Sequence, residues 1–140
     1  INLTVGAGTF QPVKAENIKD HKIHSEYISV SKELVTEIIN TKKIGGNIIA
    51  VGTTSLRAIE TVFTKKLDQF DGLTDIFIYP GYEFKAVDKL ITNFHLPKST
   101  LLMLVAAFIG FDRMKYLYEI ALKERYRFLS YGDAMFLTRK

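Results

Sequence analysis

A strand-to-helix connection in the second half of the sequence limits the fold more than any other feature. Leu90 to Phe94 has the pattern of a short apolar strand, and Leu101 to Ile109 is an unbroken apolar run. That run falls well short of the roughly 20 residues that are needed to cross a bilayer. Because it is apolar on every side, it is typical of a helix buried in a protein core. The polar loop that joins the two is the kind of connection where α/β proteins build ligand sites.

The same alternation of apolar runs and helical spacing recurs along the chain. Ser31 precedes a stretch with apolar residues at helical spacing, and Gly45 and Gly46 end that stretch. After Gly52, a Thr is expected to cap the second helix. Strands that alternate with helices predict an α/β fold with a mainly parallel sheet and flanking helices. The strands expected in one sheet are Ile48 to Val51, Ile76 to Tyr79 and Leu90 to Phe94, and the expected helices lie near Leu34, Leu56, Leu101 and Met114.

Composition fits one folded domain. The 140 residues are 47% hydrophobic and 24% charged, a balance that excludes disorder and allows a sizeable core. The lack of Cys excludes disulfides, thiolate nucleophiles and Cys-ligated zinc. The formal charge is +4, with 11 Lys and Arg against 11 Asp and Glu up to Pro97 and 8 against 4 from Lys98 onward. A basic surface of this size fits a phosphate backbone, but many domains that bind no nucleic acid carry as much charge.

Two loops at strand ends are candidate ligand sites. In α/β proteins, ligands gather where the carboxyl ends of strands meet the starts of helices. The loops Gly52 to Ser55 and His95 to Thr100 have that form, so we expect them to lie side by side. Their helix N–H groups and hydroxyls suit an anionic or polar ligand, although a hydroxyl at such a place can simply cap its own helix. A third candidate loop contains Gly6, Gly8 and Thr9, for which the alternative is a tight turn.

Histidines supply the candidates for proton transfer. His95 lies in a strand-end loop, where it either faces a ligand or ties its own loop through a backbone carbonyl. His24 and Glu26 alternate on an extended segment, so both can face one cleft and serve either in acid–base chemistry or in a structural hydrogen bond. With His21 they form an H-x-x-H-x-E cluster. The spacing of this cluster and the lack of a fourth ligand argue against a metal site.

Basic and aromatic residues alternate near the carboxyl end. Arg125, Arg127 and Tyr131 could contact phosphates and stack on a splayed RNA base. The alternative is a solvated helix end with a cationic last turn, to which Lys123 and Arg125 contribute. The residues alone favour the second interpretation.

Six segments, in order from one end of the chain to the other, resemble the S-adenosylmethionine:tRNA ribosyltransferase-isomerases of queuosine biosynthesis. The most distinctive is TNFHLPKSTLLMLVAAF, which contains the loop with His95. In the HSEY segment, Tyr27 stands where Trp is commoner in the family. The other segments are VGAGTFQPV from Val5, HSEY from His24, VGTTSLRAIE from Val51, TDIFIYPGYEF from Thr74 and YRFLSYGDAMFL from Tyr126.

The resemblance implies a specific reaction. Family members transfer the ribosyl part of S-adenosylmethionine to a 7-aminomethyl-7-deazaguanine at the tRNA wobble position and rearrange it to epoxyqueuosine, releasing adenine and methionine. S-adenosylmethionine is then a consumed co-substrate, and no resident cofactor is expected. The partners would be S-adenosylmethionine and the tRNA anticodon loop, in a cytoplasmic protein without membrane contact that is a monomer or a weak homo-oligomer.

The resemblance also implies roles for the candidate residues. A base must remove a proton beside the sulfonium, and an acid must help adenine to leave. His95, His24 and Glu26 are the candidates for proton transfer, and Asp133 could pair with a cationic group of either substrate or serve as a turn residue. The expected substrate-binding residues are Gly6, Gly8, Thr9, Thr53, Thr54, Ser55, Arg57, Lys98, Ser99 and Thr100, and the expected RNA-binding residues are Arg125, Arg127 and Tyr131.

The chain is shorter than the family proteins that it resembles. Residues 1–140 look like the carboxy-terminal portion of the α/β catalytic domain, without the amino-terminal region and the small β-rich inserted domain. We therefore expect these residues alone to have little or no transferase activity. Two other hypotheses remain, namely an RNA-binding module without chemistry and an α/β domain that binds a small molecule.

Overall fold

The computed structural model describes residues 1–4 and 23–140, and it has the α/β architecture that the sequence predicts. Strands and helices follow one another along the described chain, and the longer connections are residues 75–88 and 124–133. In chain order the elements are β1 (Asn2–Thr4), β2 (Glu26–Val30), α1 (Lys32–Lys43), β3 (Ile49–Val51), α2 (Thr53–Lys65), β4 (Phe70–Thr74), β5 (Lys89–Asn93), α3 (Thr100–Ile109), α4 (Phe111–Lys123) and β6 (Ala134–Thr138).

The described strands form two sheets. One has the order β1-β2-β4 and is antiparallel throughout. The other has the order β3-β5-β6, in which β5 pairs parallel with β3 and antiparallel with β6. The α/β class is confirmed, but the mainly parallel sheet is wrong, because β3 with β5 is the one parallel pair among the described strands. The chain returns through α4 and adds β6 to the same sheet in the opposite direction.

The strand expected at Ile76 to Tyr79 is also wrong. The strand in this region is β4, which ends at Thr74, before the predicted strand begins. It pairs with β2 rather than with β3 or β5. Ile78 is still buried, and the Ile76 carbonyl oxygen accepts a hydrogen bond from Nε of Arg57. A short apolar run can be buried by packing whether or not its backbone pairs with a neighbouring strand. Its pattern alone therefore does not establish a strand.

Helix α2 lies between the two sheets. Its Leu56 and Ile59 belong to the larger apolar core, while Ala58 and Val62 belong to a smaller core beneath β2. Helix α3 is buried over most of its circumference and half-buried on the remaining side, as its unbroken apolar sequence predicts. No helix in the described ranges is long and apolar enough to span a membrane. The fold thus fixes the start of α2 and the start of α3 beside the same ends of β3 and β5.

Candidate functional site

A cavity of about 410 Å³ lies at the carboxyl ends of β3 and β5. The loops that follow these strands line it together, so their predicted proximity is confirmed. A third wall comes from the connection between α4 and β6. The described lining residues are Gly52, Thr53, Thr54, Thr92, Asn93, His95, Leu96, Ser99, Leu101, Leu129 and Ser130.

The start of α2 carries N–H groups without a side-chain cap. Gly52 is the N-cap residue at φ +90°, a conformation that favours glycine. No Thr caps this helix, so the predicted Thr cap is wrong. The Gly52 N–H donates to the Ile91 carbonyl oxygen at 2.8 Å, which holds the loop against β5. Because the first intrahelical bond is that of Leu56, the N–H groups of Thr53, Thr54 and Ser55 have no partner within the helix.

The start of α3 is capped by its own hydroxyl. Ser99 Oγ accepts the Leu102 N–H at 3.1 Å and donates to the Leu96 carbonyl oxygen at 2.8 Å. Ser99 therefore lines the cavity while it also serves as the helix cap. Lys98 is exposed at φ +57°, and Thr100 is buried at the first position of the helix. Neither of these two residues lines the cavity in the described part of the structure.

Among the described residues that line the cavity, His95 is the titratable one. Its ring Nε2 lies 2.9 Å from Thr92 Oγ1, and its backbone N–H donates to Tyr118 Oη at 2.9 Å. Burial lowers the pKa of His95 to about 4, so the imidazole is neutral at pH 7. The contact with Thr92 orients the ring, and the contact with Tyr118 holds the backbone of the loop. Neither is the contact to a backbone carbonyl that was the alternative on sequence grounds.

The third wall of the cavity is tied to the loop that carries His95. The Leu129 N–H donates to the Phe94 carbonyl oxygen at 3.0 Å, and Leu129 has φ +69°. Asn93 Nδ2 donates to the carbonyl oxygens of Gly132 and Asp133 at 3.4 and 3.3 Å. These bonds run from the end of β5 to residues 129–133, so this segment closes one side of the cavity.

Asp133 organises that same segment. Its carboxylate accepts the Arg127 backbone N–H at 2.7 Å and contacts the Arg127 guanidinium at 3.2 Å. These bonds from Arg127 lower the pKa of Asp133. The structure thus gives Asp133 the turn contacts that were the alternative to pairing with a cationic ligand. Arg125 is exposed at φ +58°, and Tyr131 is 98% exposed, so both project into solvent beside the cavity wall.

Glu26 and Arg57 form a buried ion pair outside the cavity. Arg57 Nη1 lies 2.5 Å from Glu26 Oε2, and both side chains are almost fully buried. Burial lowers the pKa of Arg57, against the opposite effect of Glu26. The expected contact of Arg57 with a ligand carboxylate or phosphate has no place in this arrangement. Ser55 lines a different groove, beside β3 and α1.

The remaining candidates have different outcomes. His24 is exposed and has an interaction of its own, and it is not among the described lining residues. Among the described residues, His24 and Glu26 therefore do not share a pocket with His95. Within residues 1–4 and 23–140, no group of three or more His, Asp or Glu residues could hold a metal ion. The residues Gly6, Gly8, Thr9 and His21 lie outside the described residues.

Sequence reasoning missed five described residues that line the cavity. Leu101 was assigned only to the buried helix. Thr92 precedes His95 by three positions, and this spacing in TNFH is the one signal that could have singled it out. Asn93 was assigned only to a strand. Leu129 and Ser130 carry no local signal, because they reach the cavity through the tertiary contact of Leu129 with Phe94.

Residues 1–137 match the model of the family described as queuosine biosynthesis protein. The chain belongs to this family. It is also similar to the crystal structure of an S-adenosylmethionine tRNA ribosyltransferase from Thermotoga maritima, with 53% identity and a TM-score of 0.74. That similarity covers 79% of this chain and 40% of the other, so the chain spans about two fifths of that protein.

Proposed function

We propose that these residues are part of an S-adenosylmethionine:tRNA ribosyltransferase-isomerase that makes epoxyqueuosine at the tRNA wobble position. Family membership over residues 1–137 is the observation that carries this proposal. The similarity to a ribosyltransferase at 53% identity supports the same conclusion. Because the chain spans about two fifths of that relative, the activity belongs to the longer protein, and the 140 residues alone are expected to have little of it.

The cavity supports S-adenosylmethionine as the small substrate. Its volume of about 410 Å³ lies in the range of small-molecule sites. Uncapped N–H groups at the start of α2 can bind a carboxylate or ribose oxygen, with the hydroxyls of Thr53 and Thr54 beside them. His95 supplies a neutral imidazole in the same space. This combination suits a nucleoside with an amino-acid tail, and it requires no resident cofactor.

The segment between α4 and β6 supports tRNA as the second substrate. Arg125 and Tyr131 are exposed there, next to Leu129 and Ser130, which line the cavity. A guanidinium can contact a phosphate, and an exposed aromatic ring can stack on an unpaired base. An anticodon loop bound at this segment would bring its wobble base to the mouth of the cavity. This placement is consistent with a cytoplasmic enzyme that acts on tRNA.

The test is incubation of the longer protein with S-adenosylmethionine and tRNA that carries 7-aminomethyl-7-deazaguanine. We expect release of adenine and methionine together with formation of epoxyqueuosine in the tRNA. Control tRNA with guanine at the wobble position should give no release. His95→Ala should lower turnover, whereas Lys43→Ala, an exposed change at the end of α1, should not. Transfer of a methyl group to the tRNA, or no release of adenine, would contradict the proposal.

Two other functions make different predictions for the same assay. An RNA-binding module without chemistry would bind the tRNA but release no adenine. A small-molecule α/β domain would bind its ligand with an affinity that does not depend on tRNA. The position of His95 in the cavity favours the enzyme, because a pure RNA-binding module has no use for a buried imidazole there.

A further inference from the structure

Thr92 and His95 form a buried pair at the wall of the cavity. Thr92 is on β5, where its side chain points to the core side of the sheet and is almost inaccessible to solvent. Its Oγ1 lies 2.9 Å from Nε2 of His95. A hydrogen bond at this distance requires that one of the two atoms carries the proton and the other accepts it.

The surroundings of Thr92 decide which atom donates. In the described ranges, the His95 ring is the only hydrogen-bond partner of this hydroxyl. If Nε2 carried the proton, the hydroxyl hydrogen would have no acceptor among the described residues, and this is disfavoured for a side chain that is only 5% exposed. This arrangement favours donation by the Thr92 hydroxyl to Nε2. In a neutral imidazole, the proton then resides on Nδ1.

The other ring nitrogen is open to the cavity. No described residue forms a hydrogen bond with Nδ1 of His95, and in that part of the chain the one fully buried side-chain polar atom without a partner is Nη2 of Arg57. Since His95 lines the cavity, its Nδ1 is accessible from there rather than enclosed in the core. Tyr118 Oη, which accepts the His95 backbone N–H, holds the loop so that this orientation is kept.

We propose that Thr92 is a positioning residue that holds His95 in the Nδ1–H tautomer, so that His95 presents a hydrogen-bond donor to the ligand in the cavity. The identity of that ligand as a nucleoside rests on the proposed function, while the tautomer does not. In this state Nδ1 binds an acceptor atom, such as a ring nitrogen or a ribose oxygen. It has no lone pair with which to remove a proton, so the base of the reaction is a different group.

The tautomer can be measured directly by NMR on the 140-residue chain. Two-bond ¹H–¹⁵N correlation spectra distinguish the Nδ1–H form, the Nε2–H form and the imidazolium. The chain has three histidines, and the spectrum of His95→Gln identifies the signal of His95. We expect the Nδ1–H form at pH 7 in the unsubstituted chain. A dominant Nε2–H form would overturn the proposal.

Substitutions of Thr92 test its part in this arrangement. Thr92→Val keeps the shape but removes the hydroxyl, so His95 should lose its fixed tautomer. Thr92→Ser keeps the hydroxyl and should retain the Nδ1–H form. In the longer protein, Thr92→Val should lower the turnover by about tenfold or more, and Thr92→Ser should restore most of it. An unchanged tautomer in Thr92→Val, or its loss in Thr92→Ser, would contradict the proposal.

The outcomes separate this proposal from the proposed function. If Thr92→Val does not fold, the spectra of the unsubstituted chain and of Thr92→Ser still decide the tautomer. If the longer protein releases no adenine, the function is wrong while the NMR result stands. If adenine is released but His95 is in the Nε2–H form, the function stands and the role assigned to Thr92 is wrong.

Discussion

The buried imidazole of His95 should make folding depend on pH. Its pKa is about 4 in the folded chain and near 6.5 in the unfolded chain. Between these values the unfolded state binds more protons, so the free energy of unfolding rises with pH. The contribution is present above pH 6.5 and is lost as the pH falls toward 4, by about 3 kcal/mol in total. Urea unfolding of the chain at several pH values measures it.

Other groups also titrate in this window, so a control variant is needed. His95→Gln cannot take up the proton, and its stability should therefore fall less between pH 7 and pH 4.5 than that of the unsubstituted chain. An equal fall in the two proteins would show that His95 does not carry the effect.

Removing the charge of one partner of the Glu26–Arg57 pair should destabilise the folded chain. Glu26→Gln removes the charge that compensates the buried Arg57 guanidinium, and Nη2 of that group already lacks a partner. We expect a loss of about 3 to 5 kcal/mol in the free energy of unfolding. Glu37→Gln, on the exposed surface of α1, is the matched control and should have little effect. Urea unfolding at pH 7 compares the variants, and a small loss in Glu26→Gln would contradict this view of the pair.

At the scale of residues, sequence reasoning found the part of the site that strand-end loops supply. His95, Thr53, Thr54 and Ser99 line the cavity because they follow directly after strands that end at one edge. Arg57 was misassigned because it is one helical turn further on, where a charged side chain meets a partner from the other sheet. That partner, Glu26, cannot be found from local spacing.

At the scale of elements, Glu60 of α2 holds the connection that leads to β5. Its carboxylate accepts the backbone N–H groups of Lys85, Ala86 and Val87 at 2.8 to 3.0 Å. It also accepts the hydroxyl of Tyr82, whose pKa is raised to about 12 chiefly by burial. One helix side chain thus provides acceptors for backbone N–H groups of residues 85–87, which are not part of a strand.

Glu60→Ala would leave these three N–H groups without their acceptor. At about 1 to 3 kcal/mol for each buried unpaired group, the free energy of unfolding should fall by several kcal/mol. Glu119→Ala, an exposed change on α4, is the matched control. Thermal unfolding measures both variants. A similar melting temperature for both would contradict the role of Glu60.

The sequence predicted best those elements whose capping residues or apolar pattern lie within the element itself or directly beside it. Helix α1 has its Ser31 cap and basic last turn, and α3 has its apolar run. Strand β4 was missed because its sequence, FDGLT, contains an Asp and a Gly that strands usually avoid. Its position depends on pairing with β2, a contact that is distant in sequence.

At the scale of the whole molecule, one face of the β3-β5-β6 sheet is exposed and apolar. Val51, Ile91 and Phe136 are register partners in a row across this face, with Val51 65% and Phe136 61% exposed. Parallel strands are normally covered on both faces. A contiguous apolar patch of this kind favours association. We therefore expect the 140-residue chain to form a weak homo-oligomer at high concentration.

Sedimentation equilibrium measures this association. Val51→Lys places a charge on this apolar face, on the edge strand β3, and should shift the chain toward the monomer. Leu122→Lys changes a residue with 67% exposure on α4, outside this face, and should not. Equal effects of the two changes would show that the sheet face is not the contact.

Binding of tRNA should depend on the exposed cations beside the cavity. If Arg125 contacts a phosphate, Arg125→Ala weakens binding to all tRNA sequences and reduces the slope of log K against log salt by about 1. Arg113→Ala, an exposed change at the start of α4, is the control. Titrations of the longer protein with tRNA at several salt concentrations test this. An unchanged slope in Arg125→Ala would exclude a phosphate contact.

We expect the hydrogen bond from the Leu129 N–H to the Phe94 carbonyl oxygen to couple the binding of the two proposed substrates. It joins the segment with Arg125 and Tyr131 to the residue that precedes His95, so whatever immobilises the outer segment also immobilises one wall of the cavity. Such a coupling is reciprocal, because each ligand must change the affinity of the other by the same factor. An enzyme built in this way would bind its small substrate most tightly when the nucleic acid is already bound.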